Sequence, residues 1–209
     1  GESSATPVPV NLTKYHSDEN QTVDWDNETA CAITLNGTDV TIGGSGASGK
    51  GSDVTISQPG TYVVSGTASN LRLVVDCAAS GTVRIVVNNA SVTSGTSCPL
   101  YIKNCEKTIV SLADGSSNTL TDAASYTYDD TEKEEPSACI FSKDNLCFNG
   151  TGTLTVNANF NDGIQSKDDL VILGGNINVT SADDGLIGKD LVLIGGGTVT
   201  LVTAGDGIK

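Results

Sequence analysis

Asn161-Asp162-Gly163-Ile164-Gln165-Ser166-Lys167-Asp168-Asp169-Leu170-Val171-Ile172 decides how this chain reads, because its parts come back. Asp162-Gly163-Ile164 returns as Asp184-Gly185-Leu186 and again as Asp206-Gly207-Ile208, at one constant interval. Ser166-Lys167-Asp168-Asp169-Leu170 follows Ser142-Lys143-Asp144-Asn145-Leu146 and is echoed by Gly188-Lys189-Asp190-Leu191. A fixed period of this size marks stacked repeats. The apolar runs Val171-Ile172-Leu173 and Val192-Leu193-Ile194, each closed by glycines, have the length and composition of strands. The expected fold is all-β with almost no helix: a parallel β-helix, a solenoid of about 22 residues per turn.

Working upstream, Leu71-Arg72-Leu73-Val74-Val75, Val83-Arg84-Ile85-Val86-Val87, Leu100-Tyr101-Ile102 and Thr108-Ile109-Val110-Ser111-Leu112 are short β runs separated by turn residues. They would also suit a sandwich, but a sandwich has no reason to repeat sequence at so constant an interval. The solenoid is therefore expected over 67–209, with an acidic loop at 122–136. Residues 31–66, where β runs alternate with glycine-rich turns, are expected to open or cap it. Gly43 to Gly51 lacks the spacing and the following helix of a phosphate loop and reads as a turn. Residues 1–30, polar and without period, are expected to form a flexible or loosely docked arm.

Charge limits the partners. With 25 acidic against 11 basic side chains the net charge is -14, which disfavours nucleic acid and anionic membrane surfaces. No stretch approaches the ~20 apolar residues of a membrane-spanning helix, and the first ten residues lack the character of a signal peptide. The chain is thus expected to be cytosolic or in mature, exported form. Cys31, Cys77, Cys98, Cys105, Cys139 and Cys147, with only His16 as an imidazole, do not make a zinc site. Up to three disulfides in a secreted or cell-surface protein is the preferred reading; buried free thiols are the alternative.

The chemistry is expected where the repeats stack. Neighbouring strands lie about 4.8 Å apart, so Asp162, Asp183, Asp184 and Asp206, with the amide of Asn161, would form one column of oxygens. Like charges so close repel strongly unless a cation sits among them, and calcium takes six to eight such oxygens. Asp168 joins these as a further metal candidate. Asp-Gly is also a common turn dipeptide, but turn chemistry needs only one of Asp183 and Asp184. Lys143, Lys167 and Lys189 stand at related places and form a second, weaker column, and Lys209 follows the third Asp-Gly-Ile. They either offset the carboxylates or grip an acidic sugar beside the metal. Tyr126 and Tyr128 read as incidental members of a solvated acidic loop.

The quoted stretch, together with Ala182-Asp183-Asp184-Gly185, Gly188-Lys189-Asp190, Ala32-Ile33-Thr34-Leu35-Asn36-Gly37 and Pro59-Gly60-Thr61-Tyr62-Val63-Val64-Ser65-Gly66, resembles a carbohydrate-binding-domain family of secreted bacterial parallel β-helix proteins that bind acid sugars and cellulose. The resemblance implies a right-handed β-helix carrying calcium and acting on plant cell-wall polymers such as polygalacturonate. More distantly the chain is similar to the calcium-dependent pectate lyases of polysaccharide lyase family nine. Asp162, Asp183 and Asp184 match the first three ligands of that family, and Gly205-Asp206-Gly207-Ile208-Lys209 resembles the phrase that holds its lysine base. The fourth carboxylate is replaced by Ile187.

Three functions are therefore expected in order: a non-catalytic, calcium-assisted binder of acidic polysaccharide (polygalacturonate or pectin, with cellulose a further candidate); a pectate lyase with Lys209 as base; and a structural cell-surface adhesin whose metals stiffen the coil.

Overall fold

The computed structural model describes residues 11–209; the first ten residues of the expected N-terminal arm lie outside the described residues. The strands are β1 (Cys31–Gly37), β2 (Asp39–Gly43), β3 (Ala47–Lys50), β4 (Asp53–Ile56), β5 (Gly60–Ser69), β6 (Arg72–Asp76), β7 (Thr82–Thr93), β8 (Leu100–Asn104), β9 (Lys107–Leu112) and β10 (Ser117–Thr121). They continue as β11 (Ala138–Ser142), β12 (Asn145–Gly150), β13 (Thr153–Ala158), β14 (Asp162–Ser166), β15 (Asp169–Ile172), β16 (Asn176–Ser181), β17 (Leu186–Gly188), β18 (Leu191–Ile194) and β19 (Thr198–Thr203). Helix is confined to one 3-10 turn, Thr13–His16, and one α turn, α1 (Asp18–Gln21), among the described residues.

The strands form two sheets. The larger has 12 strands and curls through the long β7, whose first half pairs with β9 and whose end pairs with β10. One wing continues as β9-β12-β15-β18 and the other as β10-β13-β16-β19, while β5, β1 and β2 lie on the other side of β7. The smaller sheet has seven strands in the order β17-β14-β11-β8-β6-β4-β3. The bend falls at Gly66, where the register between β5 and β7 shifts. Its φ of +89 and the closeness of the Leu35 carbonyl leave no room for a side chain.

The expectation of a right-handed parallel β-helix with uniform turns is corrected by this topology. One sheet is branched and curled, and both are mixed, since β1 runs antiparallel to β2 and β3 to β4. The interval of the repeat is local. Ile164 faces Leu186 and Asn176 faces Thr198, at the repeat's own spacing. Ile140, by contrast, faces Leu100 on one side and Ile164 on the other, two steps of very unequal length along the chain. The repeat reports the parallel step between the last strands and not a chain-wide coil.

The core fills the space between the sheets with Ile33, Val64, Ile85, Ile102, Ile140, Phe148, Ile164 and Ile177, all buried. Where one face meets solvent the strand alternates, as in β13, which buries Leu154, Val156 and Ala158. Where both faces are covered the apolar run is continuous, as in Leu146-Cys147-Phe148 of β12. Its outer cover is the N-terminal segment: Tyr15 packs on the Ile109, Cys147 and Val171 cluster. Asn149 Nδ2 donates to the Asn20 and Thr22 carbonyls at 2.9 and 2.8 Å, and Arg84 Nη1 to that of Thr22 at 2.7 Å.

The disulfide expectation is also corrected. All six cysteines are free and buried, and each lies in an apolar cluster. Burial pushes the Cys98 and Cys147 thiols up to about 12, so they behave as small apolar groups. Cys98 and Cys139 open similar phrases but do not occupy equivalent places. Leu100 faces Ile140, so the register sets Cys98 opposite Ala138, one residue short of Cys139. A one-residue offset moves a side chain to the other face. Cys98 therefore packs outside with Val74, Tyr101 and Phe141, and Cys139 packs in the main core.

Candidate functional site

At the N-terminal end of β14 the chain presents Asp162, and the neighbouring β17 is preceded by Asp183-Asp184-Gly185. The backbone locks the two together: Asp183 N–H donates to the Asn161 carbonyl at 3.0 Å and Gly163 N–H to the Asp184 carbonyl at 2.9 Å. The next step repeats the pattern, with Gly185 N–H on the Asp206 carbonyl at 2.8 Å. The carboxylates join the ladder as well. Asp184 N–H donates to Asp162 Oδ1 at 3.0 Å, and Asp206 N–H to Asp184 Oδ1 at 2.8 Å. The glycines are required by space and not by positive φ: a Cβ on Gly163 or Gly185 would stand 2.6 Å from the carbonyl oxygen of Gly185 or Gly207. Gly185→Ala is accordingly expected to cost about 3 kcal/mol in urea unfolding, at the upper end of overpacking penalties; a loss below about 1 kcal/mol would contradict this packing.

One oxygen from each of Asp162, Asp183 and Asp184 lies within 4.8 Å of the other two. Asp162 and Asp184 are 7% exposed, while Asp183 faces solvent. Burial first, and then the charges of Asp184 and Asp183, lift the Asp162 carboxyl to about 6 from its ordinary 3.8, against the Asp184 N–H bond and Lys209. The flanking Asn161 uses its Nδ2 on the Ser137 carbonyl at 2.9 Å and on Asp162 Oδ2 at 3.2 Å, leaving Oδ1 as its acceptor. Asp206 is exposed and touches the cluster through its backbone. Asp168 is not brought to this site. It follows the far end of β14, which lies about 13 Å along the strand from Asp162, and there burial and then Asp144, Asp190 and Asp169 raise its carboxyl.

All three lysines singled out in the sequence line the same cleft, of about 480 Å³, together with the three aspartates, Gln165, Ile187 and Gly188. Lys209 Nζ lies 3.3 Å from Asp184 Oδ2, and that contact raises its pKa. Lys167 Nζ is held at 2.9 Å by Glu135, which is 6% exposed. Sequence reasoning missed Glu135, because nothing in the acidic stretch Glu132 to Glu135 distinguishes a buried glutamate from solvated ones. The 122–136 segment is largely exposed but is pinned at several of its acidic and aromatic side chains. Asp129 is paired with Arg72 at 2.6 Å, Tyr126 donates to Asp122 at 2.5 Å, and Tyr126 stacks on Phe160 with ring centroids 4.3 Å apart. A second cleft of about 220 Å³, lined in part by Tyr15, Lys107 and Cys147, lies along the seam of the N-terminal segment and gathers no comparable set of carboxylates.

The profile of the carbohydrate-binding domain-containing protein family matches residues 50–209, which takes in every strand from β4 onward and every residue of this cleft. The chain belongs to that family. A carbohydrate-binding domain-containing protein of Acetivibrio thermocellus is 44% identical over 127 residues, covering 61% of this chain and 44% of the relative. The chain thus spans less than half the length of that relative. Among solved structures, a polysaccharide lyase-like protein from C. thermocellum, determined as a gadolinium derivative, superposes with a TM-score of 0.84 at 39% identity, covering 87% of this family member and 73% of that chain.

Proposed function

We propose that this chain binds acidic plant cell-wall polysaccharide, polygalacturonate above all, through calcium at Asp162, Asp183 and Asp184 and through Lys167, Lys189 and Lys209 beside it. The observation that carries the reading is the meeting of three convergent carboxylates and three lysines in one cleft. The donor set fits calcium: it is all oxygen, without His or Cys, and Asn161 Oδ1 and water can extend it towards six to eight ligands. Burial first, and then the charges of Asp184 and Asp183, raise the Asp162 carboxyl, and a cation at the cluster would relieve both. Gadolinium, named for the related structure, is likewise a hard cation that favours oxygen. When bound, calcium supplies a bridge between protein carboxylates and a uronate carboxylate. The protein's own part is to hold the aspartates in register through backbone N–H groups, and to offer ammonium groups to further uronates.

The lyase reading is weaker on one observation. The carboxylate that would complete the metal set of the similar lyases is replaced by Ile187, an apolar residue lining the cleft. Binding without cleavage is therefore the reading put forward. Retention on insoluble pectin is expected in calcium and lost in excess chelator; equal retention in both would sink the calcium bridge. Unsaturated product absorbing in the ultraviolet would show that the protein cleaves.

A further inference from the structure

We infer that the bound glycan crosses the strands, with successive uronates meeting successive lysines on β14, β17 and the terminal segment. This rests on the reading of the cleft as a site for acidic polysaccharide and adds a path and a length dependence to it. Lys167 directly follows β14 and Lys189 directly follows β17, with the Lys189 N–H bonded to the Ser166 carbonyl at 3.1 Å. Leu186 bridges Ile208, which sets Lys209 beside Ile187 one step further on. Each step supplies one lysine to one cleft; Lys167 and Lys189 lie one step of about 4.8 Å apart, a length similar to the advance of one residue in an extended uronan, and Lys209 lies a step further and two residues nearer the aspartates. Gln165 and Ile187, neighbours in the β14–β17 ladder, floor the path.

A simpler use for the lysines would be to neutralise the aspartates that follow each of them, Asp144, Asp168 and Asp190. Among the described residues none of these aspartates forms an ion pair with a lysine, and the Asp168 carboxyl stays raised with Lys189 near it. Lys189 has no ion-pair partner among the described residues and lines the cleft. In the other direction the column continues to Lys143, but there the 122–136 segment intervenes. Lys143 does not line the cleft that holds the other three lysines and the aspartates, so the path uses Lys167, Lys189 and Lys209 and excludes Lys143.

Calorimetric titration of the chain with mono-, di- and trigalacturonate in calcium tests this. Affinity is expected to rise about fivefold or more with each added uronate, the gain of one charge-assisted contact. Lys189→Ala should cost the trimer about fivefold to tenfold and the monomer less than about twofold, while Lys143→Ala leaves every length unchanged. Affinity independent of length, or a Lys189→Ala loss equal for monomer and trimer, would overturn the path while leaving the site intact. A loss on Lys143→Ala equal to that of Lys189→Ala would overturn the excluded step. No binding at any length in calcium would remove the proposed function, and the path with it.

Discussion

Asp162→Asn is expected to raise the melting temperature of the calcium-free protein at about pH 7.5 and to abolish the further rise that calcium gives the unsubstituted chain. Both halves follow from one geometry. The Asp162 carboxyl is 7% exposed, faces Asp183 and Asp184, and titrates near 6 when folded against an ordinary 3.8. A carboxyl that holds its proton more tightly in the folded state favours folding fully below about 3.8, and the benefit is lost as pH rises through about 6. Well above that range ionisation therefore costs the empty site about 3 kcal/mol, an upper figure, at about 1.4 kcal/mol for each tenfold change in proton affinity. Asparagine removes that cost yet keeps an oxygen to accept the Asp184 N–H, bonded at 3.0 Å. The gain corresponds to about 6 °C for a chain of this size. The calcium-free parent should also melt progressively lower between about pH 4 and pH 6 and level off above, a slope the variant should largely lose. Scanning calorimetry with and without calcium reads all of this. A variant less stable than the parent without calcium, or still stabilised by it, would show that the aspartates act only as turns.

Arg72→Ala is expected to cost about 2 kcal/mol and to free the 122–136 segment. Arg72 forks onto Asp53 through Nε and Nη2 at 2.8 and 2.9 Å, and onto Asp129 through Nη1 and Nη2 at 2.6 and 3.1 Å. Its side chain is 12% exposed, while the Asp53 and Asp129 side chains are 34% and 32% exposed, so removing it costs both carboxylates their donor but leaves them partial access to water. It also lies 5.9 Å from the ring centre of Tyr101, which with Phe141 forms the outer cluster that Tyr126 packs against. Limited proteolysis should then cut within 122–136, and urea unfolding should report the loss. A loss under about 1 kcal/mol with no new cleavage would mean that the segment is held by its aromatic contacts alone.

Much of the cleft was legible in the sequence because its parts are periodic. The interval from Asp162 to Asp184 is the strand step itself, so residues that recur in sequence meet in space. Lys167 and Lys189 share a column for the same reason. What periodicity could not convey is direction across the strand. Asp168 carries the same repeat as Asp162 but sits at the opposite end of β14, and a repeat does not tell one end from the other. Nor could it give the sheets: the fork in β7 and the antiparallel pairs β1–β2 and β3–β4 lie in stretches without repeats. Cysteine number and the similar phrases at Cys98 and Cys139 suggested pairing, but an offset of one residue set them on opposite faces of one sheet. Glu135 and Arg72 owe their burial to a segment that folds back over the smaller sheet, which composition alone reads as solvated.

The location of calcium by anomalous scattering from crystals grown with the ion bears most directly on the central claim. A peak is expected within about 2.3 to 2.6 Å of oxygens from Asp162, Asp183 and Asp184. No peak at that cluster in crystals of a protein that still retains polygalacturonate would contradict it.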